Sequence, residues 1–117
     1  MPWVFGNNGN WQAPHDFENI LASTCGPEGY RGLWTGETSW SDACVTEALE
    51  IFKRMFEYVN EDYPALTNTD AVQYLVGDQG AMFIMGDWTN GLFQSIEYTD
   101  YGWAPVPGTQ GVFVGLS

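Results

Sequence analysis

Apolar residues recur every three or four positions along one stretch of the chain: Val45, Leu49, Phe52, Met55, Phe56 and Val59, with Ala48 between them. That rhythm predicts an amphipathic helix from about Asp42 to Val59 with one face turned to a core. Ser41 or Asp42 can cap its first N–H groups. Glu47 and Glu50 in its early turns and Lys53-Arg54 later match the helix dipole in part. Upstream, Trp3-Val4-Phe5 reads as a brief strand followed by the polar turn Gly6-Asn7-Asn8-Gly9-Asn10. Pro14-His15-Asp16 looks like a helix entrance. Phe17, Ile20 and Leu21 keep a helical spacing, and Gly26-Pro27 stops it. Residues 27–40 read as irregular, or at most one helical turn.

Beyond the linker Asn60-Glu61-Asp62-Tyr63-Pro64, a second helix is expected from about Thr69 to Val76. Ala71, Tyr74 and Leu75 point inward and Gly77 is its stop. The continuous apolar run Ala81-Met82-Phe83-Ile84-Met85 predicts a central strand buried on both faces. A short helix from about Thr89 to Ile96 and a strand over Tyr101–Val106 come next, with a last strand begun at Val112. Trp34, Trp40 and Trp103 are expected to pack against helices. The order of elements points to an α/β arrangement rich in helix with a small sheet, in one domain of residues 1–117.

Charge narrows the function classes. Fifteen acidic residues face three basic ones, Arg31, Lys53 and Arg54, for a net charge of −12. Such a surface does not suit nucleic acid, whose recognition depends on Lys and Arg at phosphates, or an anionic membrane. A neutral or cationic partner is compatible. No apolar run approaches the ~20 residues of a membrane helix. Met1–Phe5 has neither a basic leader start nor an extended apolar stretch, so no signal peptide is read there. Cys25 and Cys44 can pair in an exported protein or stay as thiols inside a cell.

Catalytic patterns are missing. His15 is the single histidine, without a Gly-x-Ser-x-Gly elbow or a cysteine-centred signature beside it. Helix-entrance capping or surface display accounts for it. Fifteen acids guarantee accidental carboxylate pairs, so none is singled out. No zinc, calcium or nucleotide-phosphate motif occurs, and no metal or cofactor is implied.

Two polar–aromatic corners remain, Asn10-Trp11-Gln12 and Gly86-Asp87-Trp88. Each lies just beyond an expected strand, where ligands bind in open α/β sheets. An indole offers a flat apolar face to the C–H face of a pyranose, while amide and carboxylate groups bond its hydroxyls. Asp87 would give the stronger, charge-assisted bonds. Core packing of the Trp and a plain Gly-Asp turn explain the same residues without a ligand.

Several segments, in order, resemble the extracellular solute-binding proteins that deliver sugars to ABC importers, most nearly the glucose/mannose type. These are Phe17-Glu18-Asn19-Ile20-Leu21, Gly26-Pro27-Glu28-Gly29-Tyr30, Leu33-Trp34-Thr35-Gly36, Trp40-Ser41-Asp42, Gly80–Trp88 and Tyr101–Thr109. The resemblance implies part of the C-terminal lobe of a periplasmic-binding-protein-like fold, with no catalysis and no required cofactor. It assigns Trp88 to pack on the sugar, Asp87 as a polar neighbour, and the Trp11-Gln12 corner, with Asn10, to the same ligand. A periplasmic or extracellular setting is implied, whereas the unread signal peptide leaves a cytoplasmic one open.

Full-length members of that family are far longer, and the resemblance covers neither their N-terminal lobe nor their chain beyond the strand matched at Val112. Half a cleft predicts weak binding of a neutral sugar and a doubtful encounter with an ABC permease. Uncovered apolar surfaces and strand edges predict a homodimer. Three functions stay open: a non-catalytic carbohydrate-binding lobe, a stand-alone oligomeric interaction module reusing the fold, and, well behind both, a small acid-pair hydrolase.

Overall fold

Local chemistry sets most of the element boundaries in the computed structural model, which describes residues 1–109. The elements are β1 (Trp3–Val4), α1 (Gln12–Thr35), α2 (Ala43–Met55), α3 (Asn68–Val76), β2 (Met82–Phe83) and α4 (Trp88–Ser95), with a 3₁₀ turn at Phe56–Tyr58 after α2. The fold is helix-rich α/β with a two-stranded sheet. The chain divides into two compact units.

The first unit comprises Met1–Gln12 and Val59–Ala104. Here β1 and β2 pair in parallel, Trp3 opposite Met82 and Val4 opposite Phe83, and Trp3 makes a further bridge to Val59. Trp3, Val4, Phe5, Ala71, Val72 and Phe93 are its buried apolar residues. The Asn60 amide extends β1 by one residue: Phe5 N donates to Oδ1 at 2.8 Å and Nδ2 donates to Phe5 O at 3.0 Å. What reads in sequence as a linker is thus a side chain standing in for strand backbone. α3 starts with a reciprocal cap in which Thr67 Oγ1 accepts from Asp70 N at 3.1 Å and Asp70 Oδ2 accepts from Thr67 N at 3.0 Å. These bonds to Thr67 hold the Asp70 carboxyl below the usual range.

The strand expected over 81–85 shrinks to two residues, and Met82 is 59 % exposed. Its partner residues Trp3 and Val4 are buried on both faces, whereas Met82 is exposed and Phe83 half-buried, so the apolar run overstates the burial of β2. Residues 101–106 form no strand, and Trp103 is 87 % exposed rather than packed on a helix. In α3 the buried pair is Ala71 and Val72, with Tyr74 and Leu75 only half-buried. The strand expected from Val112 lies outside the described residues.

The second unit comprises Ala13–Tyr58 and, among the described residues, Pro105–Thr109. Its core joins Ile20, Leu21 and Leu33 of α1 to Val45 and Ala48 of α2, with Phe17, Ile51, Phe52 and Met55 against them. Asp42 caps α2 by accepting from Cys44 N at 2.9 Å, and Lys53 and Arg54 sit in its last turn. Leu49, counted with the apolar stripe, is exposed.

Gly26 breaks α1 at φ +71°, a conformation that glycine adopts without strain, but the helix resumes at Pro27 and runs to Thr35. Proline is well suited to a first helical position, where its missing N–H costs nothing. The expectation of irregular chain over 27–40 therefore fails for its first nine residues. Trp34 and Trp40 are exposed and meet each other edge to face, centroids 5.3 Å apart. Cys25, beside the break, is disulfide-bonded to Cys44 in the first turn of α2.

Candidate functional site

The loop from Gly6 to Asn10 is held to the segment before α3 by backbone bonds. Asn7 N donates to Tyr63 O at 2.8 Å and Asn8 N to Leu66 O at 2.9 Å, while Asn8 Nδ2 reaches Ala65 O at 2.9 Å. Asn10 takes the left-handed conformation, φ +59°, its amide donating to Asn7 O at 3.0 Å. Asparagine tolerates that region better than most residues. The turn delivers Trp11 at the exit of β1's loop and Gln12 at the first position of α1.

The second corner is fixed from behind by α4. Phe93 is buried, with the Tyr98 and Tyr101 rings 5.2 and 4.4 Å from its own, and the Tyr101 hydroxyl donates to Asn90 Oδ1. Trp88 is the first residue of α4 and Asp87 precedes it. Asp87 is exposed and its side chain makes no capping hydrogen bond, so its carboxylate is not committed to the helix end.

The two corners meet through their indoles. Trp11 and Trp88 have ring centroids 6.2 Å apart at an interplanar angle of 59°, and they are 39 % and 48 % exposed. Each indole folds back over the glycine two residues before it. A Cβ on Gly9 would lie 2.7 Å from Trp11 Cδ1, and a Cβ on Gly86 would collide with the six-membered ring of Trp88. Both positions must stay free of a side chain for the rings to lie where they do. The Gly-x-Trp spacing of the 86–88 corner recurs at 9–11 and at 32–34, and only at 9–11 and 86–88 does the ring lie over its glycine, since a Cβ on Gly32 would meet Thr38 rather than Trp34.

Behind each indole stands a buried polar residue. Gln12 Oε1 and Thr89 Oγ1 have no hydrogen-bond partner among the described residues. Thr89 is a residue that sequence reasoning assigns only to a helix. Asn10 is exposed, Asp87 is exposed, Gln12 is buried, and the two corners meet at the Trp11–Trp88 ring contact. The resulting surface is two tilted aromatic faces with the exposed Asp87 carboxylate at one corner and the exposed Asn10 amide at the other. Such a surface can hold a flat C–H face and bond hydroxyls at its border.

The second unit carries a different set of titratable groups. His15 is buried, not displayed, and burial lowers its pKa while Glu18 partly opposes that shift. Asp16 is fully buried, neither of its oxygens has a partner among the described residues, and burial raises its pKa well above the ordinary value. Tyr30, donating to Glu18 Oε2 at 2.8 Å, is pushed up to about 12 by burial and by that bond. No group of three His, Cys, Asp or Glu residues that could hold a metal occurs among the described residues. No helix among them is long and apolar enough to cross a membrane.

No family model matches the chain. It is 34 % identical over 109 residues to an uncharacterized ABC transporter extracellular-binding protein of Pyrococcus horikoshii, an alignment covering 91 % of this chain and 25 % of that protein. It is 31 % identical over 108 residues to a xylose/arabinose-binding protein of Haloferax volcanii, covering 88 % and 23 %. A probable sugar-binding periplasmic protein of Mesorhizobium japonicum is 24 % identical over 116 residues, covering 95 % and 28 %. The chain spans about a quarter of the length of these curated relatives.

Proposed function

We propose that the chain is a carbohydrate-binding segment of the ABC-importer solute-binding type and that its ligand lies on Trp11 and Trp88. The observation that carries this reading is the contact between two exposed indoles brought from corners 77 residues apart, each seated on its own glycine. Core packing does not account for rings left 39 % and 48 % exposed. The similarity to sugar-binding importer components supports the same ligand class and an extracellular or periplasmic setting. The Cys25–Cys44 disulfide suits that setting, because such bonds persist where the surroundings are oxidising.

In this reading Trp88 and Trp11 take the apolar face of a pyranose, each worth on the order of 1 kcal/mol beyond the area it buries. Asp87 accepts hydroxyl hydrogen bonds, and Asn10 supplies an amide on the other side, with the Gln12 amide buried beneath it. Two aromatic faces and a few polar groups on an open surface correspond to a dissociation constant of about 1 mM. The glucose/mannose type is the finer assignment, and a pentose such as xylose is its direct competitor.

The test is a titration of the chain with mono- and disaccharides, followed by tryptophan fluorescence and amide NMR shifts. Saturable shifts at Asp87 and Trp88, lost in Trp88→Ala while the fold persists, are expected. A folded chain indifferent to every sugar at high millimolar concentration would refute the reading and favour an interaction module using the same fold.

A further inference from the structure

Gln12 is 1 % exposed, and its Oε1 has no hydrogen-bond donor among the described residues. A buried amide oxygen left without a donor destabilises the state that contains it. Its surroundings indicate what could supply one. The point where a Cβ would stand on Gly9 is 3.4 Å from Gln12 Oε1, 2.8 Å from Trp11 Nε1 and 2.7 Å from Trp11 Cδ1. The edge of the Trp11 indole therefore fills the space over Gly9, beside the Gln12 amide oxygen, and can do so because residue 9 has no side chain. Trp11 occupies that space and reaches the surface, whereas Gln12 does not.

We propose that Gln12 Oε1 is the acceptor that selects a hydroxyl-bearing ring, and that Trp11 swings off Gly9 to admit the ligand's hydroxyl. The inference rests on the carbohydrate reading above and deepens it. The indoles accept any flat apolar face of suitable size. Gln12 discriminates, because a ring without a hydroxyl at that place leaves the buried oxygen unsatisfied. Sites built to bond a hydroxyl reject analogues lacking it far more strongly than apolar pockets reject a change of size. Trp11 is the moving part because it is seated against a glycine and is already partly in solvent. Its movement changes the geometry of the Trp11–Trp88 pair, whose 6.2 Å separation is short enough for the two indoles to couple optically.

The experiment compares D-xylose, D-glucose and their monodeoxy derivatives on the wild-type chain and on Gln12→Met, which keeps the length of the side chain and removes the acceptor. Affinity is read by NMR and the indole pair by circular dichroism. Gln12→Met is expected to weaken the parent sugar by about tenfold or more, and one monodeoxy derivative is expected to lose as much on the wild type. That derivative should bind both proteins alike, and the indole signal should change when the parent sugar binds. Equal binding of the parent sugar by wild type and Gln12→Met overturns the assignment of Gln12 while leaving the aromatic platform standing, provided Trp88→Ala still loses it. The deoxy series decides the matter even if Gln12→Met does not fold, since parent-like binding of every derivative overturns the proposal. Absence of any sugar response in the wild type overturns both readings together.

Discussion

Replacing Asn60 by alanine tests whether a side chain completes β1. The Asn60 amide exchanges two hydrogen bonds with the Phe5 backbone, at 2.8 and 3.0 Å, and Nδ2 also donates to Asp62 Oδ1 at 2.8 Å. Phe5 is fully buried and Asn60 nearly so, so water cannot take over these roles without the strand moving. Taking a partner from a buried backbone group costs about 1–3 kcal/mol, so losing two such bonds costs about 2–6 kcal/mol. Against a total stability of about 5–15 kcal/mol for a small domain, that loss leaves little margin. The assay is urea unfolding of wild type and Asn60→Ala, with hydrogen exchange at the Phe5 amide as the local reporter. The amide should lose protection before the residues of α2 do. Asn60→Asp, which keeps an acceptor for Phe5 N–H but loses the donor, should fall between the two. A loss below about 0.5 kcal/mol in Asn60→Ala, with the Phe5 amide still protected, would show that β1 does not depend on this amide.

Asp16 and the disulfide give two further tests in the second unit. Burial raises the Asp16 pKa well above its ordinary 3.8, so the folded chain holds a proton there that the unfolded chain releases. The stability this group contributes is full below pH 3.8 and is lost as pH rises towards the folded value. Asp16→Asn should flatten that decline in a series of melting temperatures against pH, and an unchanged slope would refute the assignment. The Cys25–Cys44 bond spans 19 residues and ties the break in α1 to the start of α2. Its removal in the paired Cys25→Ala, Cys44→Ala variant should cost about 3 kcal/mol in urea unfolding, and a cost under about 1 kcal/mol would mean that the shared core suffices.

Elements whose causes are local were legible in the sequence. The periodicity around Ala48 located α2, Asp42 capped it, and the structure differs mainly in tightening its last turn into the 3₁₀ segment Phe56–Tyr58. Gly26-Pro27 was equally readable as a break, yet the same pair that ends one helical segment starts another, since glycine turns the chain and proline tolerates the first helical position. Strand lengths were not legible. A run such as Ala81–Met85 states that the chain tolerates burial, but only pairing partners decide how many of its residues become a strand. Asn60 lies still further from reach, because its role depends on Phe5, 55 residues away.

The site divides along the same line. Residue chemistry pointed to Trp11 and Trp88 separately, as aromatic groups beside amides and a carboxylate. That the two indoles touch is a tertiary fact, produced by the β1 loop and the start of α4 arriving at one place. The signal nearest to it in the sequence is the repeated Gly-x-Trp. An indole can fold back over the residue two positions earlier only if that residue has no side chain, and both corners satisfy the condition. A tryptophan destined for the core does not require this, because there the neighbouring elements position the ring. The spacing alone does not mark such an indole, because Gly32-Leu33-Trp34 shares it while a Cβ on Gly32 would meet Thr38; the ring seated on its glycine, at 9–11 and 86–88, is what the structure adds. The buried oxygens of Gln12 and Thr89 arise from the same geometry: each polar residue comes directly after an outward indole and so is turned inward, where its hydrogen-bonding capacity is left open.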